Sequence, residues 1–158
     1  MSADMFLKVD GIKGESVDSK HKDEIEVLSW SWGVTQHVVA HGATFGAGAA
    51  DCSELTIMKK LDISSPLLVK HCAQGAIIKS MLLTMRKAGT EQVEYSKVTM
   101  TDCLITSVQI HGGGGGEIPS ESASFRFTKV KIEYWPQKPD GKLGGVVPYE
   151  WDIKAKKA

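Results

Sequence analysis

The stretch SFRFTKVKIEYW, Ser124 to Trp135, alternates apolar and polar residues as a strand with one packed face does, but its phase slips partway. Phe125 and Phe127 occupy odd positions, whereas Val130, Ile132 and Tyr134 occupy even ones. A bulge or bend near Thr128 accounts for the slip, because a long strand that passes from one packed face to another must exchange the side chains that point inward. Such a strand belongs to a barrel or to two packed sheets, not to a flat single sheet.

The rest of the chain repeats the signal. MFLKV, DEIEVLSWSWGV, ELTIMKKL, AIIKSMLLTMR, QVEYSKVTM, CLITSVQI and YEWDI are rich in Val, Ile, Thr and aromatics, and clusters of Gly, Asp, Ser or Pro separate them. The expected fold is all-β and mainly antiparallel. One interruption reads as a short helix: in SSPLLVKHCAQG, Ser65 suits the N-cap, Pro66 the first helical position and Gly75 the left-handed stop. Leu68, Val69, Cys72 and Ala73 would then form the apolar stripe that docks it on the sheet.

A chain of 158 residues can bury one sizeable core, and a single domain over residues 1–158 is expected. Nineteen Lys and Arg balance nineteen Asp and Glu, so no net field draws in nucleic acid or an anionic membrane. Cys52, Cys72 and Cys103 are too few and too widely spaced for a disulfide framework or paired zinc ligands, and read as reduced core residues. MSADMFLKVDGIKG lacks the basic start and apolar run of a signal peptide, and no apolar run approaches transmembrane length. A cytoplasmic start, with any exit made without a cleaved signal, is expected.

Motifs that could carry chemistry lack their context. The five glycines of HGGGGG, His111 to Gly116, are followed by an acid and a proline instead of Lys, Ser/Thr and a helix start, so they read as a hairpin tip, not a phosphate loop. FGAGAAD, Phe45 to Asp51, lacks the strand and helix of a dinucleotide site and reads as a surface loop. His37 and His41 lack a central acid and a third ligand, and read as loop histidines. Cys72 reads as core and His71 as surface, while the charged segment DSKHKDE reads as a solvated loop. No nucleophile elbow is present, and neither catalytic residues, a metal nor a cofactor is assigned.

Taken together and in order, KGES (Lys13 to Ser16), DEIEVLSWSWG (Asp23 to Gly33), SPLLVKHCAQG, RKAG (Arg86 to Gly89), VEY (Val93 to Tyr95) and EYWPQKPDGKLGG before WDIKAKK resemble the haemolysin-coregulated protein family, Hcp. The resemblance covers essentially the whole chain. It implies a β-barrel with one helix that assembles into homo-hexameric rings. The rings stack into the inner tube of the bacterial type VI secretion system, inside a contractile sheath and under a VgrG-type spike, and the tube is expelled when the sheath contracts. Effector proteins ride in the lumen, and neither catalysis nor membrane insertion is implied.

Two sets of residues are singled out on that footing. In LSWSWG the indoles of Trp30 and Trp32 should pack inward and the serines outward. Similarity to the family then makes Ser29 and Ser31 lumen-facing, effector-contacting residues. The long loop GVTQHVVAHGATFGAGAADC is exposed by composition yet carries Val38, Val39 and Phe45, which makes Val38, Val39, His41, Thr44, Phe45 and Ala47 the expected ring-stacking set. The same loop could instead fold back over its own barrel. A different function class stays open from the residues alone: a monomeric barrel whose apolar interior holds a small molecule.

Overall fold

The computed structural model describes residues 3–157. In chain order it contains β1 (Ala3–Val9), β2 (Ile25–Glu26), β3 (Ser29–Ser31), β4 (Val34–His41), β5 (Thr44–Cys52), β6 (Leu55–Lys60), α1 (Ser65–Gln74), β7 (Ile77–Lys87), β8 (Glu94–His111), β9 (Ser120–Tyr134) and β10 (Val147–Asp152). Every strand pairing is antiparallel. The order in the main sheet is β2-β1-β7-β8-β9-β6-β3, with β10 on β9, and β4 and β5 make a sheet of their own.

The phase slip in Ser124 to Trp135 is the line on which this sheet folds over. Along β9, Ala123, Phe125 and Phe127 are buried up to Thr128, and Val130 is buried after it. β8 changes phase at the facing rung, from Val98 and Met100 to Cys103 and Ile105. Between them Asp102 sits at φ 51°, a left-handed conformation that L-residues other than Asn and Asp rarely adopt. β7 changes phase on the same line, from Ile78 to Met81 and Leu83. Three strands thus bend together, and each keeps its apolar side chains inside on both sides of the bend. A second irregularity lies in β8 between Ile105 and Ser107.

The two ends of the curled sheet are joined by one short segment. Val27 donates its N–H to the Met5 carbonyl at 2.9 Å, and the next residue, Leu28, donates to Met58 at 2.8 Å. The chain passes there from the β1 edge to the β6 edge. Inside, Leu7, Leu83, Met100 and Phe125 are buried in one continuous cluster with Leu55, Ile57 and Val98. The interior that a small-molecule-binding barrel would need for its ligand is occupied by these side chains, which disfavours that alternative.

Several expectations are corrected. The segment read as a long loop is a hairpin: β4 and β5 pair from Val34↔Cys52 to His41↔Thr44, so FGAGAAD is strand and His37 and His41 lie on a strand. Residues four apart on a strand are about 13 Å apart, too far to share one metal ion. Gly and Ala hid the strand from propensity reasoning, yet the hairpin needs a small residue here: a Cβ on Gly48 would lie 2.4 Å from the His37 carbonyl oxygen, beside the register shift. QVEYSKVTM and CLITSVQI are one continuous strand, β8, not two.

In the helix the N-cap is Ser64, not Ser65, and Gly75 closes the end at φ 61° as expected. Of the anticipated stripe only Leu68 is buried; Cys72 is half-buried, and Val69 and Ala73 are exposed. Ser65 is drawn from capping by a buried network, in which Lys59 Nζ donates to Glu121 at 2.8 Å, Asp62 at 2.9 Å and Ser65 Oγ at 3.1 Å. The Ser65 hydroxyl in turn donates to Glu121. Among the thiols only Cys103 is fully buried; Cys52 and Cys72 are half-buried, and all three are free.

Candidate functional site

Short strand β3 presents one face to the core and the other to solvent. Trp30 and Trp32 are half-buried against the core, and Trp32 meets Phe127 at 6.0 Å between ring centroids. Alternation then forces Ser29 and Ser31 outward, where both are exposed. β3 pairs with β6, with Ser29 facing Met58 and Ser31 facing Thr56. The face continues onto β9 through Met58↔Ser122 and Thr56↔Ser124, where the Thr56 and Ser124 hydroxyls hydrogen-bond at 2.9 Å. Two sequence signals could have revealed this extension: the polar phase of ELTIMKKL, and serines at every second position of PSESAS.

The β4–β5 hairpin projects, with every residue from Val34 to Asp51 exposed, so it does not fold back over its own barrel. The six residues singled out from its sequence divide by strand alternation. Val38, Phe45 and Ala47 share one face, and Val39, His41 and Thr44 the other. Phe45 is 83% exposed and Val38 62%, an unusual cost for apolar side chains on a two-stranded sheet. At the hairpin base an open groove of about 880 Å³ runs between the hairpin and β10, lined by Trp32, Val34, Tyr149 and Trp151 among others.

Ionisable side chains gather elsewhere, where they pin the chain. The segment read as a solvated charged loop is anchored at both ends. Arg86 donates to Asp18 at 3.0 Å and to Asp4 at 3.3 Å, and its guanidinium lies 4.8 Å from the Phe6 ring centroid. That hydrogen bonding holds the Asp18 carboxyl well below the usual carboxylate range and raises Arg86 above its own ordinary value. His21 is buried and stacked on Phe6 at 4.5 Å, with one ring nitrogen 2.5 Å from Glu24 and the other 2.8 Å from Glu94. Burial pushes Glu94 up, but the hydrogen bonds from His21 and Lys97 outweigh it and leave the carboxyl below its ordinary value.

Two of the thiols, Cys52 and Cys103, are shifted away from reactivity. Burial pushes Cys103 up to about 12 and also raises Cys52. His71 is half-buried, its Nδ1 2.8 Å from the Leu67 carbonyl oxygen. Among the described residues no group of three His, Cys, Asp or Glu side chains is placed to hold a metal, and no helix is long and apolar enough to cross a membrane. What this arrangement offers chemically is surface: an uncharged sheet face and an apolar projecting arm.

Comparison with known proteins agrees on one relationship. A family model described as "Type VI secretion system effector, Hcp" matches residues 6–134. The chain is 43% identical over 157 residues to Protein hcp1 of Pseudomonas aeruginosa, covering 98% of this chain and 97% of that one. The crystal structure of Hcp1 from Salmonella typhimurium superposes with a TM-score of 0.81 at 40% identity, over 99% of both chains. A solved type six secretion system protein superposes with a TM-score of 0.93 at 31% identity, again over 99% of both chains.

Proposed function

The chain belongs to the Hcp family, structural components of the type VI secretion system, and on that premise we propose that six copies close into a ring whose stacks form the inner tube. The observation that carries this reading is the match along nearly the whole chain, with the same curled sheet in the relatives. Two features of the subunit support it. The exposed side chains of Val38 and Phe45 towards the hairpin tip and the groove at the hairpin base are separate surfaces of one subunit, as a heterologous contact requires, and such contacts close into rings or run on as filaments. The half-exposed edge of β10, with Val147 and Tyr149 in solvent, is also of the kind that proteins cover by pairing or assembly.

In this proposal the protein is made in the cytoplasm, assembled inside a contractile sheath under a VgrG-type spike, and expelled through the secretion machine. It works without catalysis. Ser29 and Ser31 face the lumen and touch effector proteins, while Val38, Val39, His41, Thr44, Phe45 and Ala47 on the hairpin make ring-to-ring contacts. Sedimentation tests the assembly: a species of six times the 17.1 kDa monomer mass, seen as an annulus by electron microscopy, is expected. A persistent monomer at high concentration refutes it. For the lumen, Ser31→Trp should leave rings intact and lower effector retention; rings of this variant that retain effector as the wild type does would remove Ser31 from the contact.

A further inference from the structure

The face that holds Ser29 and Ser31 carries a second, sharper feature. Its first rung runs Ser29, Met58, Ser122 and Gln109 across four strands, and its second runs Ser31, Thr56, Ser124 and Ser107. Residues directly opposite in antiparallel strands share a face, with Cβ atoms about 5 Å apart. The result is a patch with no charge at all, in which Met58 is the one apolar side chain. Charges begin only at its borders, with Lys60 on one side and the Arg126–Glu54 pair, at 3.2 Å, on the other.

Each part of that composition restricts the partner. A charged side chain laid on the patch would lose water and meet no counter-ion, which is unfavourable. Hydroxyls can both donate and accept, so they tolerate partner groups in many orientations. Met58 is half-buried at the centre, and its unbranched, polarisable side chain can adapt to apolar groups of different shape. We propose that Met58 is the specificity-determining contact through which this face holds an effector protein, receiving an aliphatic or aromatic side chain from an uncharged part of the cargo surface while the surrounding hydroxyls hydrogen-bond its polar groups. This rests on the reading of Ser29 and Ser31 as cargo-facing. Repeated around a ring, a weak contact of this kind gains by multivalency and still lets go when the ring disassembles.

The test takes one effector whose accumulation in the producing cell requires this protein, purified and titrated onto preformed rings at low and at near-molar salt. Wild-type affinity should change little with salt. Met58→Ser should weaken binding at least about ten-fold, with Met58→Leu close to wild type. Ser122→Asp, which puts a charge beside Met58, should abolish binding. All three variants should sediment as rings. Met58→Ser or Ser122→Asp rings that bind as the wild type does, or wild-type binding that collapses at high salt, overturn the proposal. Wild-type rings that fail to bind the effector overturn the cargo-facing reading itself, and this inference with it; that result needs no variant, so the two failures are told apart.

Discussion

Lys59 and Glu121 face each other across β6 and β9, both fully buried, and the pair shows how single residues hold this fold. Glu121 Oε2 accepts from Lys59 at 2.8 Å, while its Oε1 is buried with no hydrogen-bond partner. A buried pair contributes little net stability relative to apolar residues of the same size, but removing one member strands a charge. Lys59→Met, which leaves the buried Glu121 carboxylate only the Ser65 hydroxyl as a partner, should therefore destabilise the protein by about 3–5 kcal/mol, whereas the double replacement Lys59→Met with Glu121→Leu should recover most of the loss. Urea unfolding of the two variants beside the wild type measures both. No local pattern marks this pair: Lys59 stands in a charged KK dipeptide and Glu121 among serines, and only the register of two distant strands brings them together.

At the scale of elements, the bend and the hairpin behave oppositely with respect to the sequence. The bend was legible because apolar phase is a local record of which side faces the core, and the slip at Thr128 survives in any reading of Phe125 to Tyr134. Its partner on β8 was not, since Asp102 looks like a strand break until pairing shows that the strand runs through it. Asp102→Gly should keep or slightly raise stability, and Asp102→Val should lower it by about 1–2 kcal/mol, because a β-branched residue is strained at positive φ. Thermal melts of the two variants decide it. The hairpin escaped because its β5 strand is built of Gly and Ala, whose propensities argue against a strand, and cross-strand backbone pairing outweighs that preference. Phe45→Ser should leave hexamers unaltered and reduce their association into longer stacks, read by sedimentation against concentration.

Over the whole molecule, neutrality and shape set what the protein can do. With nineteen charges of each sign and a pI near 7.0, nothing in its net field favours nucleic acid or anionic lipid, while large apolar side chains such as Val38 and Phe45 stand exposed. The sequence by itself determined the all-β class, the single helix, the bend in the last long strand and the family, because periodicity, capping residues and ordered short motifs are all written along the chain. Only the tertiary structure decided which outward-facing residues lie side by side. Met58 joins Ser29 and Ser122, and Phe45 parts from His41, because strand register is a relation between distant segments, set by core packing and hydrogen bonding that no local pattern contains.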